Sequence, residues 1–449
     1  MKNVEEHFGT IIMEDWIKVT LFLCTFAFFR DFRPVDPFYT AYLTSPAVNF
    51  TTTQITEEIY PWNAYACTSV TIFVFLVTDF VRYKPIVILD ALSSMVMYCL
   101  VMKPVTLFKA QLALALTGLS SATELAYVSY IYAKVKNRAL YQKMTGFLRA
   151  AYLLGRCVSA TVSQIAVSYF DIDYNTLVYL SLAGSTMAFI FSFFLPTVKG
   201  SIYFYPEQTT EINKEMDYKS IDTTSNKSKK YFKPAPKSRP VVVVLNQLYL
   251  ELKDTYSNPY LLKYLIWSSV STGVFMQVLT YNDVVFSNLN KLDPVNNKLY
   301  NGGVDAIAFI VGAFASYGLS YLNLQWKRIS NLCLFFGALL NCIVLTVYSM
   351  TSTLNLVYFM YFIYMLIFNV MYIIARSETA KYLQHESFAF IIGLNYFAAL
   401  CVSSFLTMVI VQGTIFEISI SSQYYIYALI NGGLAVWFLI SLFVQNNDY

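Results

Sequence analysis

Apolar positions along this chain gather into long runs, broken by short polar stretches, and the runs have the length of membrane-crossing helices. A helix needs about 20 apolar residues to cross the hydrocarbon of a bilayer. Counted that way, the first part of the chain predicts spans near residues 14–33, 62–82, 85–103, 107–134, 141–169 and 175–196. The second part predicts spans near 259–287, 302–323, 329–349, 354–375, 386–412 and 421–445. Twelve spans make this an all-α membrane protein. The polar stretch 199–254 parts six from six, so the expected domains are a six-helix bundle over 1–198, a basic linker over 199–256 and a second six-helix bundle over 257–449. The linker carries Lys214, Lys219, Lys227, Lys229, Lys230, Lys233, Lys237 and Arg239 together with Pro234, Pro236 and Pro240. Such a composition cannot bury a core and predicts disorder. Its tail, VVVVLNQLYLEL, reads as a short interfacial helix.

Two of the runs also contain a polar pattern. Thr117, Ser121, Glu124 and Tyr127 recur at three- and four-residue steps, as do Arg149, Tyr152, Arg156, Ser159 and Ser163. Each set is one polar stripe on an otherwise greasy helix. A charge at membrane depth is costly, so it faces a bundle interior, a partner or an aqueous path. Two facing stripes predict a solute site. Glu124 has two compatible readings: a buried pair with Arg149 or Arg156 of the next helix, and a lining of the solute path that an arriving solute would unpair. Arg149 reads as structural, near the end of its span, whereas Arg156 lies deeper.

Asp36 follows Arg30, Asp31 and Arg33 and sits between Pro34 and Pro37. It predicts either a local ion-paired break or an unwound segment at a site. Asp305, close behind Gly302 and Gly303, is either a solute ligand or a carboxylate favoured by the helix dipole. Trp62, Tyr65, Tyr127, Tyr152 and Tyr281 are candidates to stack on a ring cation. With 37 Tyr and 36 Phe in the chain, packing is the commoner duty of any one of them. Arg376, Glu378 and Lys381 predict a gate at one end of the tenth span.

Composition then narrows the class. Of 449 residues 57% are hydrophobic and 13% charged, against about 25% charged in ordinary soluble chains. The net charge of +4 comes from the loops and does not indicate nucleic-acid binding. Seven cysteines lie singly in apolar runs and only two histidines occur, His7 and His385, so neither a disulfide framework nor a metal site is expected. Nucleophile elbows, Walker loops, zinc-protease and dinucleotide motifs are missing from the sequence, so no catalysis and no cofactor are expected. Without a nucleotide-binding module, transport would be secondary. The first apolar run lacks a small-residue cleavage site and reads as a retained span. Nothing in the pattern demands more than a monomer in lipid.

Lys and Arg in the loops set the orientation. Arg82, Lys84, Lys134, Lys136, Arg138, the linker, Lys327, Arg328, Arg376 and Lys381 fall on one side, and residues 43–60 on the other have none. Lys103, Lys109, Lys291 and Lys298 are exceptions. Both termini are therefore expected in the cytosol. Asn49-Phe50-Thr51 is a glycosylation sequon on the outer side.

Six spans, a basic loop and six more is the plan of the major facilitator superfamily, in which two bundles rock about a midplane site. TDFVRYKP, with Asp79, Arg82 and Lys84, resembles a degenerate form of the charged loop those carriers have after the second helix, and reads as a latch. Other segments are more specific. FFRDFRPVDPFYTAYLTSPAVNFTTTQITEEIYP resembles the first span and outer loop of the reduced folate carrier and thiamine transporter family, whose form is close to RPSEPFLTPYL followed by a glycosylation site and TNEI. TELAYVSYIYAKV, YQKMTGFLRAAYLLG, LYNGGVDAIAFIVGA, LVTDFVRYKPIVIL and FIIGLNYFAAL are similar to its later spans.

The resemblance implies carrier-mediated movement of a vitamin across the plasma membrane. It also bears on which vitamin. Thiamine members carry Glu at the position of Glu124, where folate carriers have Arg. A carboxylate in low dielectric attracts a thiazolium cation and repels a folate dianion. Asp36 and Asp305 match acidic family positions. There are departures: Trp62 follows Pro61 directly and Asn63 takes the place of the family Trp. Leu114 and Thr117 replace a Glu and a Tyr, Thr280 beside Tyr281 replaces an Asn, and Arg156 stands where relatives are uncharged. The resemblance thus implies a thiamine carrier first. A folate carrier with Arg149 and Arg156 on the glutamate carboxylates comes second, and a non-transporting receptor third.

Overall fold

The structure is a computed structural model that describes residues 2–134, 141–198, 241–292, 299–321, 326–382, 385–413 and 418–446. Twelve long helices run through these residues. The first half comprises α1 (Lys2–Arg30), α2 (Pro61–Phe80), α3 (Lys84–Val101), α4 (Leu107–Lys134), α5 (Tyr141–Tyr169) and α6 (Tyr174–Phe194). The second comprises α7 (Pro259–Leu292), α8 (Asn301–Tyr321), α9 (Trp326–Met350), α10 (Leu354–Tyr382), α11 (His385–Leu406) and α12 (Ile420–Asn446). No strand occurs among the described residues. Among the described residues, eight helices are long and apolar enough, by composition, to cross a membrane. Their outer faces leave large apolar side chains such as Phe73, Phe336, Phe405 and Ile440 exposed, a surface suited to lipid rather than water.

The expected spans correspond to these helices, with differences at the ends. Helices α7 and α10 run past their apolar stretches, to Leu292 and Tyr382. Lys136, Arg138, Lys298 and the linker up to Pro240 lie outside the described residues, and so does the expectation of disorder there. The linker tail is a helix, Val241–Tyr256, with Leu248 buried and Val242, Val243, Tyr249 and Leu250 exposed. It packs on α7 and α11.

The first span differs most. It starts at Lys2 rather than near residue 14 and stops at Arg30. Pro34 and Pro37 have no N–H to continue the ladder and restrict the residues before them. The Val35 N–H, freed by the break, donates to Ser181 Oγ of α6 at 3.0 Å. The chain then resumes as a tight turn, Asp36–Phe38, and a short helix, Tyr39–Thr44. Val35, Phe38, Tyr42 and Leu43 are completely buried, so the break lies inside the bundle. Tyr42 Oη donates to the carbonyl of Val101, the last residue of α3. The first crossing is thus two helical pieces around a bend, longer than the run 14–33.

Helix packing has an internal two-fold. In the first half α1 packs on α5 and α6, α4 on α2 and α3, and α3 on α6. In the second, α7 packs on α11 and α12, α10 on α8 and α9, and α9 on α12. The same operation exchanges the two seams between halves, α5 with α8 and α2 with α11. Along the first seam Gly302 is required by close approach, since a Cβ there would lie 2.5 Å from the Ala160 carbonyl oxygen.

Candidate functional site

The bend in α1 delivers Arg30, Asp31, Arg33 and Asp36 to the middle of the first half. Arg30 is the hub and is 3% exposed. Its Nε donates to Asp90 Oδ2 of α3 at 2.7 Å, Nη2 to the Ser120 carbonyl of α4 at 3.0 Å, and Nη1 to Asp31 Oδ2 at 3.3 Å. Glu124 Oε2 lies 3.6 Å from Nη1. Asp90 also accepts from Ser120 Oγ at 2.5 Å. Asp31 accepts a second guanidinium, Arg156 Nε of α5, at 3.3 Å. Arg33 turns its Nε back to the Arg30 carbonyl at 2.8 Å.

Two carboxylates of this cluster, Asp31 and Asp90, are fully buried and saturated with partners. Glu124 is not: its side chain is 42% exposed, and it makes only the longest of the contacts to Arg30. Arg30, Asp31, Asp90 and Arg156 all lie within its electrostatic reach. Three arginines, Arg30, Arg33 and Arg156, face four carboxylates, Asp31, Asp36, Asp90 and Glu124. By residue count one carboxylate is left without an arginine, and Glu124 is the open member.

Further acidic groups stand across the space between the halves. Asp305 of α8 accepts from Tyr361 Oη of α10 at 3.2 Å. Asp283 of α7 lies within charge reach of both Asp305 and Asp36. Asp36 accepts from Tyr98 Oη at 3.2 Å and makes no ion pair among the described residues; the ion pairs at the break are those of Asp31 with Arg30 and Arg156. Tyr396 of α11 lies within reach of Glu124, Cys67 and Tyr152, which brings the second half to the same space.

Several expected ligands are committed elsewhere. Glu124 is held by Arg30, not by Arg149 or Arg156. Arg149 is exposed two turns from Arg156 on the same stripe and makes no ion pair among the described residues. Arg156 serves Asp31 and stacks over the rings of Tyr152 at 5.3 Å and Phe309 of α8 at 5.5 Å. Tyr127 is buried beneath the Arg30 guanidinium, 5.2 Å from its ring centre. Thr117 and Thr280 each donate to their own helix backbone. Trp62 is 47% exposed at the start of α2. Asn63 Oδ1 is buried without a hydrogen-bond partner. Glu378 accepts from Tyr260 Oη of α7 at 3.2 Å, and the Lys381 side chain lies outside the described ones.

Tyr65 and Tyr281 belong to a seal instead. On the face that bears residues 45–60, the halves are pinned by hydrogen bonds. Tyr65 Oη donates to Gln412 Oε1 at 2.5 Å, and Gln412 Nε2 to the Glu57 carbonyl at 2.6 Å. Asn301 Nδ2 donates to the Pro37 carbonyl at 2.8 Å, and Gln164 Nε2 to the Leu299 carbonyl at 3.0 Å. The Tyr60 and Tyr281 rings meet at 5.8 Å. The site is closed on this loop face, and nearer the opposite, terminal face Phe75 and Phe390 meet across the α2–α11 seam.

Asp90 and Asp283 were absent from the sequence-derived set. Each is a lone charge in an apolar run, the signal that singled out Glu124 and one that would have found them too. The seal glutamines and Asn301 carry no such signal.

Two six-helix halves related by an internal two-fold, a broken first helix and a buried polar cluster within the first half define a membrane carrier of the major facilitator fold. The crystal structure of the nucleoside transporter NupG matches with a TM-score of 0.61 at 11% identity, covering 95% of this chain and 99% of that one. The family model described as Reduced folate carrier matches residues 14–426. The chain belongs to the reduced folate carrier family, whose members are transporters and not enzymes. Human thiamine transporter 2 is 29% identical over 442 residues, covering 94% of this chain and 88% of the relative. Folate transporter 1 of Caenorhabditis elegans is 30% identical over 438 residues, covering 96% and 94%.

Proposed function

We propose that this carrier moves thiamine, an organic cation, across the plasma membrane by alternating access. Residues 1–198 and 257–449 are the rocking bundles, and 199–256 is a cytosolic linker. The observation that carries this reading is the half-exposed Glu124 at the edge of a cluster with one more carboxylate than arginine. The thiazolium ring sits against Glu124, with Tyr152 and Tyr396 as ring neighbours, while Asp36, Asp283 and Asp305 hold a negative field on the sealed side. Tyr127 is left out, because Arg30 covers its ring. The loop face is extracellular and both termini are cytosolic, so the conformation described is closed to the outside. The carrier works as a monomer, driven by a gradient or by exchange, with a glycan on Asn49.

The test is uptake of radiolabelled thiamine in cells lacking their own vitamin carriers. Glu124→Gln is expected to lower uptake at least tenfold, about 1.4 kcal/mol; unchanged uptake would remove Glu124 from the path. A folate carrier is the second reading, supported by the similarity to the nematode folate transporter and by the partly exposed Arg156. Competition separates the two: excess thiamine, and not excess folate, is expected to block uptake. Flux into proteoliposomes is expected as well, and binding without flux would mean a receptor.

A further inference from the structure

Beneath the seal on the loop face, each half brings a carboxylate to the α5–α8 seam. On α8, Asn301, Asp305 and Phe309 are one turn apart and share a face. Asn301 Nδ2 donates to the Pro37 carbonyl of the bend at 2.8 Å, and the Phe309 ring centre lies 5.5 Å from the Arg156 guanidinium of α5. Asp305, between those two contacts, therefore faces the first half, where the neighbour of Pro37 is Asp36. The two carboxylates stand within electrostatic reach of each other. Neither makes an ion pair among the described residues. Asp283 of α7 adds a third acidic group within reach of both.

Like charges that face each other across a seam push the halves apart, and low dielectric strengthens the push. Arg33 stands within reach of Asp36, but its Nε is turned back to the Arg30 carbonyl. Arg156 stands within reach of Asp36 and Asp305 alike. It is also loosely held. Among the described residues only its Nε makes a hydrogen bond, to Asp31 at 3.3 Å, and its side chain is 32% exposed. Asp31 does not depend on that bond, because Arg30 Nη1 lies at the same distance. Both Nη groups of Arg156 are thus left to other acceptors, and its guanidinium rests between Tyr152 of one half and Phe309 of the other. Arg30, with three bonded nitrogens and 3% exposure, has no such latitude.

We infer that Arg156 is a resident counter-cation, a positioning residue that neutralises Asp36 and Asp305 across the seam and so lets the empty carrier close its loop face. A solute cation entering the same space takes over that neutralisation and leaves Arg156 to Asp31. This exchange of roles rests on the thiamine reading, whereas closure of the empty carrier does not. The tethered guanidinium thereby does for the empty carrier what a dissolved coupling cation would otherwise have to do.

Proteoliposomes holding the full-length carrier test this in two arms. In the first, with no solute present, spin labels at Ala47 and Tyr300 report the separation of the halves on the loop face. Arg156→Ala is expected to shift the ratio of long to short distances about tenfold toward the long one. Methylguanidinium at millimolar concentration should reverse the shift. Asp305→Asn removes the repulsion instead, so by itself it should favour the short distance, and in combination it should cancel the effect of Arg156→Ala. In the second arm, the ratio of thiamine exchange to net thiamine uptake is expected to rise about tenfold in Arg156→Ala, because only net uptake requires the empty carrier to return. Distances that do not change in Arg156→Ala, or that change without being reversed by methylguanidinium or by Asp305→Asn, overturn the counter-cation. If the distances respond but the parent moves no thiamine, the counter-cation stands and the thiamine reading falls. If the distances respond and the parent moves thiamine at an unaltered ratio in Arg156→Ala, the exchange of roles with the solute is overturned.

Discussion

Arg30 and Glu124 touch, yet their substitutions should differ in kind. Arg30 bridges Asp31 and Asp90, both fully buried, to the α4 backbone. Arg30→Met would strand two buried carboxylates, a loss of about 3–5 kcal/mol. We expect it to aggregate on extraction, seen as loss of the monodisperse peak in size-exclusion chromatography. Lys at that position offers its three donors from one compact nitrogen and lacks the planar fork that reaches Asp90, Asp31 and the Ser120 carbonyl from three separate nitrogens, so it should rescue little. Glu124, half exposed and held by one contact at 3.6 Å, is different. Glu124→Gln should melt within a few degrees of the parent while losing transport. A melting temperature far below the parent would show that Glu124 is structural after all.

At the scale of elements, the bent first span explains what hydropathy could and could not reveal. The apolar runs set twelve helices correctly because burial in lipid depends on length and composition alone. They cut the first crossing short because RDFRPVD, four charges and a proline, reads as the end of a span. Only tertiary packing shows that those charges are neutralised inside the bundle and that the chain continues to Thr44. The partner of Glu124 was misread for the same reason: pattern relates positions on one helix, whereas Arg30 reaches α4 across the bundle. Close approach was equally hidden. Gly302→Val would push α8 off α5, given the 2.5 Å approach of a Cβ to the Ala160 oxygen. Spin labels at Ala47 and Tyr300, on the loop faces of opposite halves, should move apart by several ångströms in that variant. An unchanged distance distribution would mean that the seam yields elsewhere.

For the whole molecule, the internal two-fold relates one half to the other and keeps the loop face on the same side, so closure of the opposite face needs a different set of contacts, and sequence does not say which closure is populated. Tyr65→Phe removes the bond to Gln412 and should shift the equilibrium toward the state open on the loop face by about fivefold, roughly 1 kcal/mol. Faster alkylation of a cysteine at Asn63 would report it. Orientation is tested by Asn49, which is exposed at φ 62°, a backbone setting Asn tolerates. Asn49→Gln should abolish a glycosidase-sensitive shift on gels if the loop face is outside, and do nothing if it is inside.

The bonds of the seal described above are made by amides, hydroxyls and backbone carbonyls, and the exposed Glu57 contributes its carbonyl and not its carboxylate. Screening by dissolved salt weakens exposed ion pairs over about 10 Å at 0.1 M, but it scarcely touches neutral bonds of this kind. The balance between the two faces should therefore be indifferent to ionic strength. Any salt dependence of transport would then report how the solute is captured, not how often the carrier turns over to receive it.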